Sequence, residues 1–243
     1  MAPHGISISI AEKRFGGGAT LFTDLALKVA PGSTVALMGP SGIGKSSLLR
    51  LVAGIDTDFS GRIDIGGQAA VDAAMPGFVF QDPRLLPWLS ARDNVRIADR
   101  QMTVERADAL LNQVGLGGRG ADFPAQLSGG MQRRVALARA LASNAQVLLL
   151  DEPFVSLDAA LAGEMRALLG AILGRGNTTS LLATHDPEDA ARLADRVIVL
   201  AGRPAQVAAD LALDVPPQAR DEGIVADYQA DIAVAARGPE RSD

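Results

Sequence analysis

Two rhythms of hydrophobic positions divide the chain. Ile6, Ile8 and Ile10 alternate with Ser7, Ser9 and Ala11, and Leu25, Leu27 and Val29 alternate again after the loop Gly16-Gly17-Gly18. A period of two predicts half-buried strands, paired as an antiparallel unit ahead of the turn Pro31-Gly32-Ser33. Further on the pattern changes. Residues 35–38, 147–150, 180–184 and 196–200 are nearly unbroken apolar runs, as expected of strands covered on both faces. Residues 62–65 and 77–80 read as shorter strands.

Helical spacing fills the intervals. Leu48, Leu49 and Val52 share a face behind Lys45, and Gly54 offers a C-terminal cap. From residue 90 to 141 no strand pattern appears. Ser90 caps a helix carrying Val95, and Thr103 caps another with Ala107, Leu110, Leu111 and Val114 on one face. A third follows Ser128-Gly129-Gly130, with Val135, Ala138 and either Leu141 or Ala142 as its stripe. Helices over 159–173 and 187–194 then alternate with the last strands, which implies a mostly parallel sheet with helices on its faces. The expected layout is one α/β domain over 1–243. Its core spans 1–86 and 145–216, a helical subdomain is inserted at 87–144, and a tail covers 217–243. Beyond Pro216-Pro217 the tail is polar and alanine-rich, and reads as a short helix or a frayed end.

Composition narrows the partners more than the fold. With 243 residues, 48% hydrophobic and 21% charged, the chain can bury a full core. A net charge of −5 without any polybasic run argues against nucleic acid or anionic lipid as the main partner. There is no cysteine, so disulfides, thiolate metal sites and cysteine nucleophiles are excluded. The first fifteen residues lack the apolar stretch of a signal peptide, and no segment approaches a membrane span in length. A membrane role is therefore expected to come through a protein partner.

Candidate chemistry centres on residues 39–46, which fit G-x-x-x-x-G-K-[ST] between an apolar strand and a helix. Gly39, Gly42 and Gly44 allow a tight turn whose backbone N–H groups face one concavity, backed by the helix N-terminus. Lys45 then reaches the outer phosphates of a nucleoside triphosphate, and the Ser46 hydroxyl binds Mg²⁺. An apolar strand ending in Asp151-Glu152 is the natural partner of such a loop. Asp151 holds Mg²⁺ through its water shell, and Glu152 polarises a water for attack on the γ-phosphate. Other residues are ambiguous on their own. Ser128-Gly129-Gly130 is either a helix cap or a second anion-binding end. His185 sits at a strand's carboxyl rim, where ligands bind in such sheets, yet packing or capping would also explain it. Phe15 ends the first strand, where ordinary packing is as good an account as ligand contact.

Together these residues resemble the ATP-binding subunits of ABC transporters. GPSGIGKSS is similar to that family's Walker A, which implies ATP contacts from Gly39, Pro40, Ser41, Gly42, Ile43, Gly44, Lys45, Ser46 and Ser47. LLLDEP resembles its Walker B. LSGGMQRR resembles its signature, and implies that Leu127, Ser128, Gly129, Gly130, Met131 and Gln132 act on the nucleotide of a second copy. Gln81 falls at the Q-loop position, toward Mg²⁺ and the γ-phosphate, Asp158 in the D-loop and His185 in the H-loop. Phe15 falls where the family stacks an aromatic on adenine. The resemblance implies a phosphate-loop NTPase of RecA-like core, with the antiparallel unit and the helical insert as its additions. It also implies a homodimer or paired ATPase subunits closing on ATP, transmembrane permease subunits, and, indirectly, a substrate-binding protein. The expected place is the cytoplasmic face of the inner or plasma membrane. No nucleic-acid partner is expected.

VFQDPRLLPWLSARDNV and Met131 resemble the branch importing nitrate, sulfonates, taurine and related solutes, and by the same resemblance the regulatory domain of sugar importers is not expected in a chain of this length. Ser47, where threonine is usual, and the tract AALAGEMR around Ala162 depart from that branch. The alternatives are an ABC ATPase serving export or lipid trafficking, a non-transport ABC ATPase, and a kinase or GTPase on the same fold. The last leaves residues 127–132 and His185 unexplained.

Overall fold

A computed structural model describes residues 2–16, 18–99, 101–143 and 146–237. Gly17, the expected 144/145 boundary and the tail residues 238–243 lie outside the described residues. In chain order the elements begin β1 (Ile6–Arg14), β2 (Thr20–Val29), β3 (Thr34–Met38), α1 (Lys45–Val52), β4 (Ser60–Ile65), β5 (Gln68–Ala69) and β6 (Gly77–Val79). The helices α2 (Ala91–Arg96), α3 (Val104–Gln113) and α4 (Gly129–Ala142) follow. The chain continues through β7 (Val147–Asp151), α5 (Ala159–Leu173), β8 (Thr179–Ala183), α6 (Pro187–Leu193), β9 (Arg196–Ala201), β10 (Gln206–Ala212) and α7 (Glu222–Arg237).

The alternating residues of β1 and β2 do pair antiparallel, with Ile8 opposite Leu27 and Ile10 opposite Leu25. They belong to a four-stranded sheet of order β2-β1-β4-β5. The continuous apolar runs form a second, six-stranded sheet of order β10-β9-β3-β8-β7-β6. Within it β9, β3, β8, β7 and β6 run parallel, and only β10 is antiparallel to its neighbour.

Each parallel strand divides its side chains between two cores, as period-two geometry requires. Val35 and Leu37 of β3, Leu181 of β8 and Ile198 of β9 face the core shared with α1 and the antiparallel sheet. On the opposite face, Leu148 and Leu150 of β7 join Leu182 in a core with α2 to α5, while Ala36, Met38, Val197 and Val199 pack against α6 and α7. Burial on both faces is why these strands carry no polar alternation.

Three helix starts follow the expected caps, Ser90, Thr103 and Ser128, and the structure adds a fourth at Asp158. The side chains of Ser90, Thr103, Ser128 and Asp158 each accept a backbone N–H in the first turn of α2, α3, α4 and α5. At the other end of the chain the structure goes beyond the sequence. Strand β10 was not expected, and the tail contains the 16-residue helix α7 rather than a short one. Val225 and Ile232 of α7 are buried, the Tyr228 hydroxyl accepts the Val215 N–H at 3.0 Å, and Arg192 holds Glu222 at 2.7 Å. Tertiary burial of one face, rather than helix propensity, makes this helix.

Candidate functional site

The carboxyl ends of β3, β7 and β8 lie side by side, because β8 pairs with β3 on one edge and β7 on the other. The chain leaves β3 through the loop at 39–44, β7 through Glu152-Pro153 and β8 through Thr184-His185. That parallel register gathers residues more than a hundred positions apart in sequence.

Two glycines set the loop's path. Gly39 has φ 142°, and a Cβ there would stand 2.5 Å from the Leu200 carbonyl oxygen. Gly44 has φ 111°, and a Cβ would meet the ring of the fully buried Phe22 at 2.7 Å. Lys45 opens α1 and is only 6% exposed. Its Nζ donates to the Gly39 carbonyl at 2.7 Å and lies 3.6 Å from Glu152 Oε1. A nearly buried ammonium beside exposed backbone turns is a fixed cation at the head of a helix, a suitable seat for phosphate oxygens.

The Ser46 hydroxyl donates to Asp151 Oδ1 at 2.8 Å. Burial pushes the Asp151 carboxyl up from its ordinary pKa; the Ser46 hydrogen bond opposes this, and the Glu152 charge adds to it. A hydroxyl and a carboxylate of this kind fit Mg²⁺, which takes one or two protein ligands and completes its shell with phosphate and water oxygens. Among the described residues no group of three or more His, Cys, Asp and Glu side chains is arranged for a metal, and a phosphate-borne ion needs none.

Glu152 has φ 48°, a left-handed conformation costing a non-glycine residue about 1–3 kcal/mol. Its N–H donates to the Ala183 carbonyl at 2.9 Å, which ties the strained residue to β8. One carboxylate oxygen lies 2.8 Å from His185 Nδ1. Both side chains, with Gln81, Phe15 and residues 41–42 and 44–47, line a cavity of about 420 Å³. An adjoining cavity of about 600 Å³ is lined by Phe15, Leu21, Pro40, Ile43 and, from α7, Ala236. Phe15 is 62% exposed, so it is not packed in the core. An exposed aromatic at the mouth of both cavities is available for stacking.

Residues 127–132 are not brought to this site within the chain. Leu127 is buried, Met131 packs on the helical core, and the Gln132 side chain donates to the Pro124 and Leu127 carbonyls. Gly130 is buried where a Cβ would strike Leu161 of α5. Ser128 and Gly129 remain exposed at the start of α4. Asp158 is likewise exposed and caps α5.

Four arginines in and around the site have no role that the sequence assigns. Arg50, Arg84 and Arg133 line a cavity of about 390 Å³ on the other side of Ser46, Gln81 and Asp151. Arg139 of α4 donates to the carbonyls of Pro83 at 2.8 Å and Arg84 at 2.9 Å, holding the loop after Gln81. Trp88 in that loop is 69% exposed, whereas Leu85 turns back onto the helical core. Scattered arginines carry no spacing signal, and only the fold gathers them.

Comparison with known proteins agrees with this fold. Residues 22–155 match the ABC transporter family. Over 234 residues, 93% of this chain and 85% of the relative, the sequence is 44% identical to the aliphatic sulfonates import ATP-binding protein SsuB 2 of Burkholderia cenocepacia (strain HI2424). It is 47% identical over 181 residues to SsuB 1 of Rhodococcus jostii (strain RHA1), covering 74% of this chain and 73% of that one. Among solved structures, the ATP-binding cassette MJ0796, in a dimeric post-hydrolysis state bound to ADP and Pi, superposes with a TM-score of 0.75 at 30% identity. That match covers 87% of this chain and 99% of the other.

Proposed function

The chain belongs to the ABC transporter family, and on that footing we propose that it is the ATP-hydrolysing subunit of an importer for aliphatic sulfonates. One observation carries the solute class: the 44% identity, spread over 93% of the chain, to an aliphatic sulfonates import protein. The relatives described above are import proteins, which favours import over export or lipid trafficking. The chain is an ATPase using Mg²⁺, works with a permease and is peripheral to the membrane. Among the described residues no helix is long and apolar enough to cross a bilayer. Its place is the cytoplasmic face, and a separate binding protein delivers the sulfonate to the permease.

The roles of the site residues follow from their chemistry. Lys45 exchanges its bond to the Gly39 carbonyl for the phosphates, a fixed positive charge meeting the negative charge on the phosphate oxygens during transfer. Ser46 and Asp151 hold Mg²⁺, which neutralises phosphate charge when bound. Glu152 accepts the proton of the attacking water, and His185 orients its carboxylate from 2.8 Å away. Gln81 faces the γ-phosphate end, and Phe15 stacks on the base. Ser128, Gly129 and Gly130 act on the nucleotide of a second copy, supported by the exposure of Ser128 and Gly129 away from this chain's own site and by the dimeric state of the cassette MJ0796. The loop bearing Trp88 faces the permease, since a solitary exposed indole in a proline-bracketed loop suits a docking contact.

The test is uptake in cells that depend on this transporter. Glu152→Gln abolishes accumulation of a labelled alkanesulfonate and leaves sulfate uptake intact. Sulfonate uptake that continues unchanged in the variant refutes the solute class.

A further inference from the structure

Glu152 and His185 reach their contact from two different loops, and one guanidinium stands behind both. Arg166 lies midway along α5 and lines neither nucleotide cavity. Its Nε donates to Asp189 Oδ1 at 2.7 Å, its Nη2 to Asp186 Oδ2 at 3.4 Å, and its Nη1 lies 3.3 Å from Glu188 Oε2. Asp189 is only 5% exposed, and its second oxygen accepts the Thr184 hydroxyl at 2.8 Å. That same hydroxyl accepts the Asp186 N–H at 3.1 Å. The residues on both sides of His185 are therefore held in one network, while His185 itself is exposed. On the other side, the Arg166 guanidinium carbon stands 5.6 Å from the ring centre of Phe154, two residues after Glu152.

Such a network is an expensive way to gain stability, because a buried carboxylate gives up its hydration before any partner repays it. It is a good way to fix geometry, since each member is satisfied in only one arrangement. The planar fork of arginine contacts three carboxylates and an aromatic face at once, which a lysine ammonium cannot do. The side chains fixed are those flanking the contact between His185 and the strained Glu152.

We propose that Arg166 is a positioning residue for ATP hydrolysis. Through Asp189 and Thr184 it sets the loop carrying His185, and through Phe154 it braces the loop carrying Glu152. The proposal rests on Glu152 and His185 being the catalytic pair, so the experiment tests both separately. Steady-state turnover of the full chain is measured for wild type, His185→Ala, Arg166→Ala, Arg166→Lys, Asp189→Asn and the double variant of Arg166→Ala with His185→Ala. Melting and binding of a fluorescent ATP analogue are followed in each. Arg166→Ala lowers kcat about ten- to a hundredfold, the scale of a misplaced catalytic group, with the KM for ATP unchanged. Arg166→Lys recovers part of that loss. In the His185→Ala background the same substitution costs less than twofold, because the group it positions is gone.

A folded Arg166→Ala protein with kcat within twofold of wild type overturns the proposal, as does a full multiplicative loss in the double variant. If Arg166→Ala does not fold, Asp189→Asn decides by the same two criteria, since it keeps the shape and removes the charge Arg166 holds. Normal turnover in His185→Ala overturns the catalytic-pair assignment itself. Loss there with no loss in Arg166→Ala sinks only the positioning role.

Discussion

At the scale of single residues, the site combines groups placed for charge with groups placed against their preference. Asp151 belongs to the second kind. Burial raises its folded pKa above the unfolded value, so the native state binds that proton more tightly. Its contribution to stability is full below the unfolded pKa, about 4, and is lost as pH rises through the folded pKa. Asp151→Asn removes the loss. Without nucleotide or metal the variant melts above wild type at neutral pH, and the gap closes as the pH falls below about 4. With ATP and Mg²⁺ the order reverses, because an amide is a weaker ligand for a hard cation. Melting curves from about pH 3 to 8, with and without Mg²⁺ and ATP, check both halves. Phe15 is simpler. Since it is exposed, Phe15→Ala leaves the melting temperature unchanged, and it weakens ATP binding by about 1–3 kcal/mol if the ring stacks on the base. Fluorescence titration with ATP measures that loss.

At the scale of elements, legibility tracked burial on two faces. Strands β3, β7, β8 and β9 were readable because residues packed on both sides leave an apolar run, and the antiparallel pair because one face is buried. Asp151 and Glu152 were readable because they end such a run, and Lys45 and Ser46 because a glycine pattern links one to a helix. Strand β10 was not. It is an edge strand whose QVAADLA is rich in alanine without a clean alternation and is held by Arg196 gripping Asp210, a pairing no local pattern announces. Arg166 and Asp189 escaped for a related reason: charged residues on helices read as solvated faces until the tertiary fold buries them. Helix α7 was underestimated because its polar, alanine-rich sequence hides two anchors, Val225 and Ile232. Those anchors share a core with Met38 of β3, so the helix is part of the domain's stability. Ile232→Ala costs about 2–5 kcal/mol, as for other large-to-small core changes, and urea denaturation shows it as a lower midpoint at constant slope.

The whole molecule presents a cavity lined by Lys45, Glu152 and His185 and leaves Ser128 and Gly129 exposed. A second copy completes it under the function proposed above. Glu152→Gln keeps the side chain's size and removes the base, so ATP binds without being consumed and the closed dimer accumulates. Size-exclusion chromatography with ATP and Mg²⁺ shows a dimer for Glu152→Gln and a monomer once Ser128→Arg is added. A Glu152→Gln chain that stays monomeric at saturating ATP refutes the two-site mechanism in the isolated protein.

Phe22 has a consequence that reaches back to how the chain folds. Its ring, which leaves no room for a Cβ on Gly44, lies in β2, and its backbone bridges to Ala205 just ahead of β10. The phosphate loop is thus moulded against a strand of the other sheet and cannot take its final shape on the parallel sheet alone. Docking two sheets through contacts this distant in sequence is slow, because the entropy of closing long loops is lost before the contacts form. Nucleotide affinity is then the last property acquired in refolding. In stopped-flow refolding the signal of a fluorescent ATP analogue rises with the slowest phase, after far-ultraviolet ellipticity has recovered; Phe22→Ala, by loosening the mould, leaves the ellipticity phase in place and delays or abolishes the nucleotide signal.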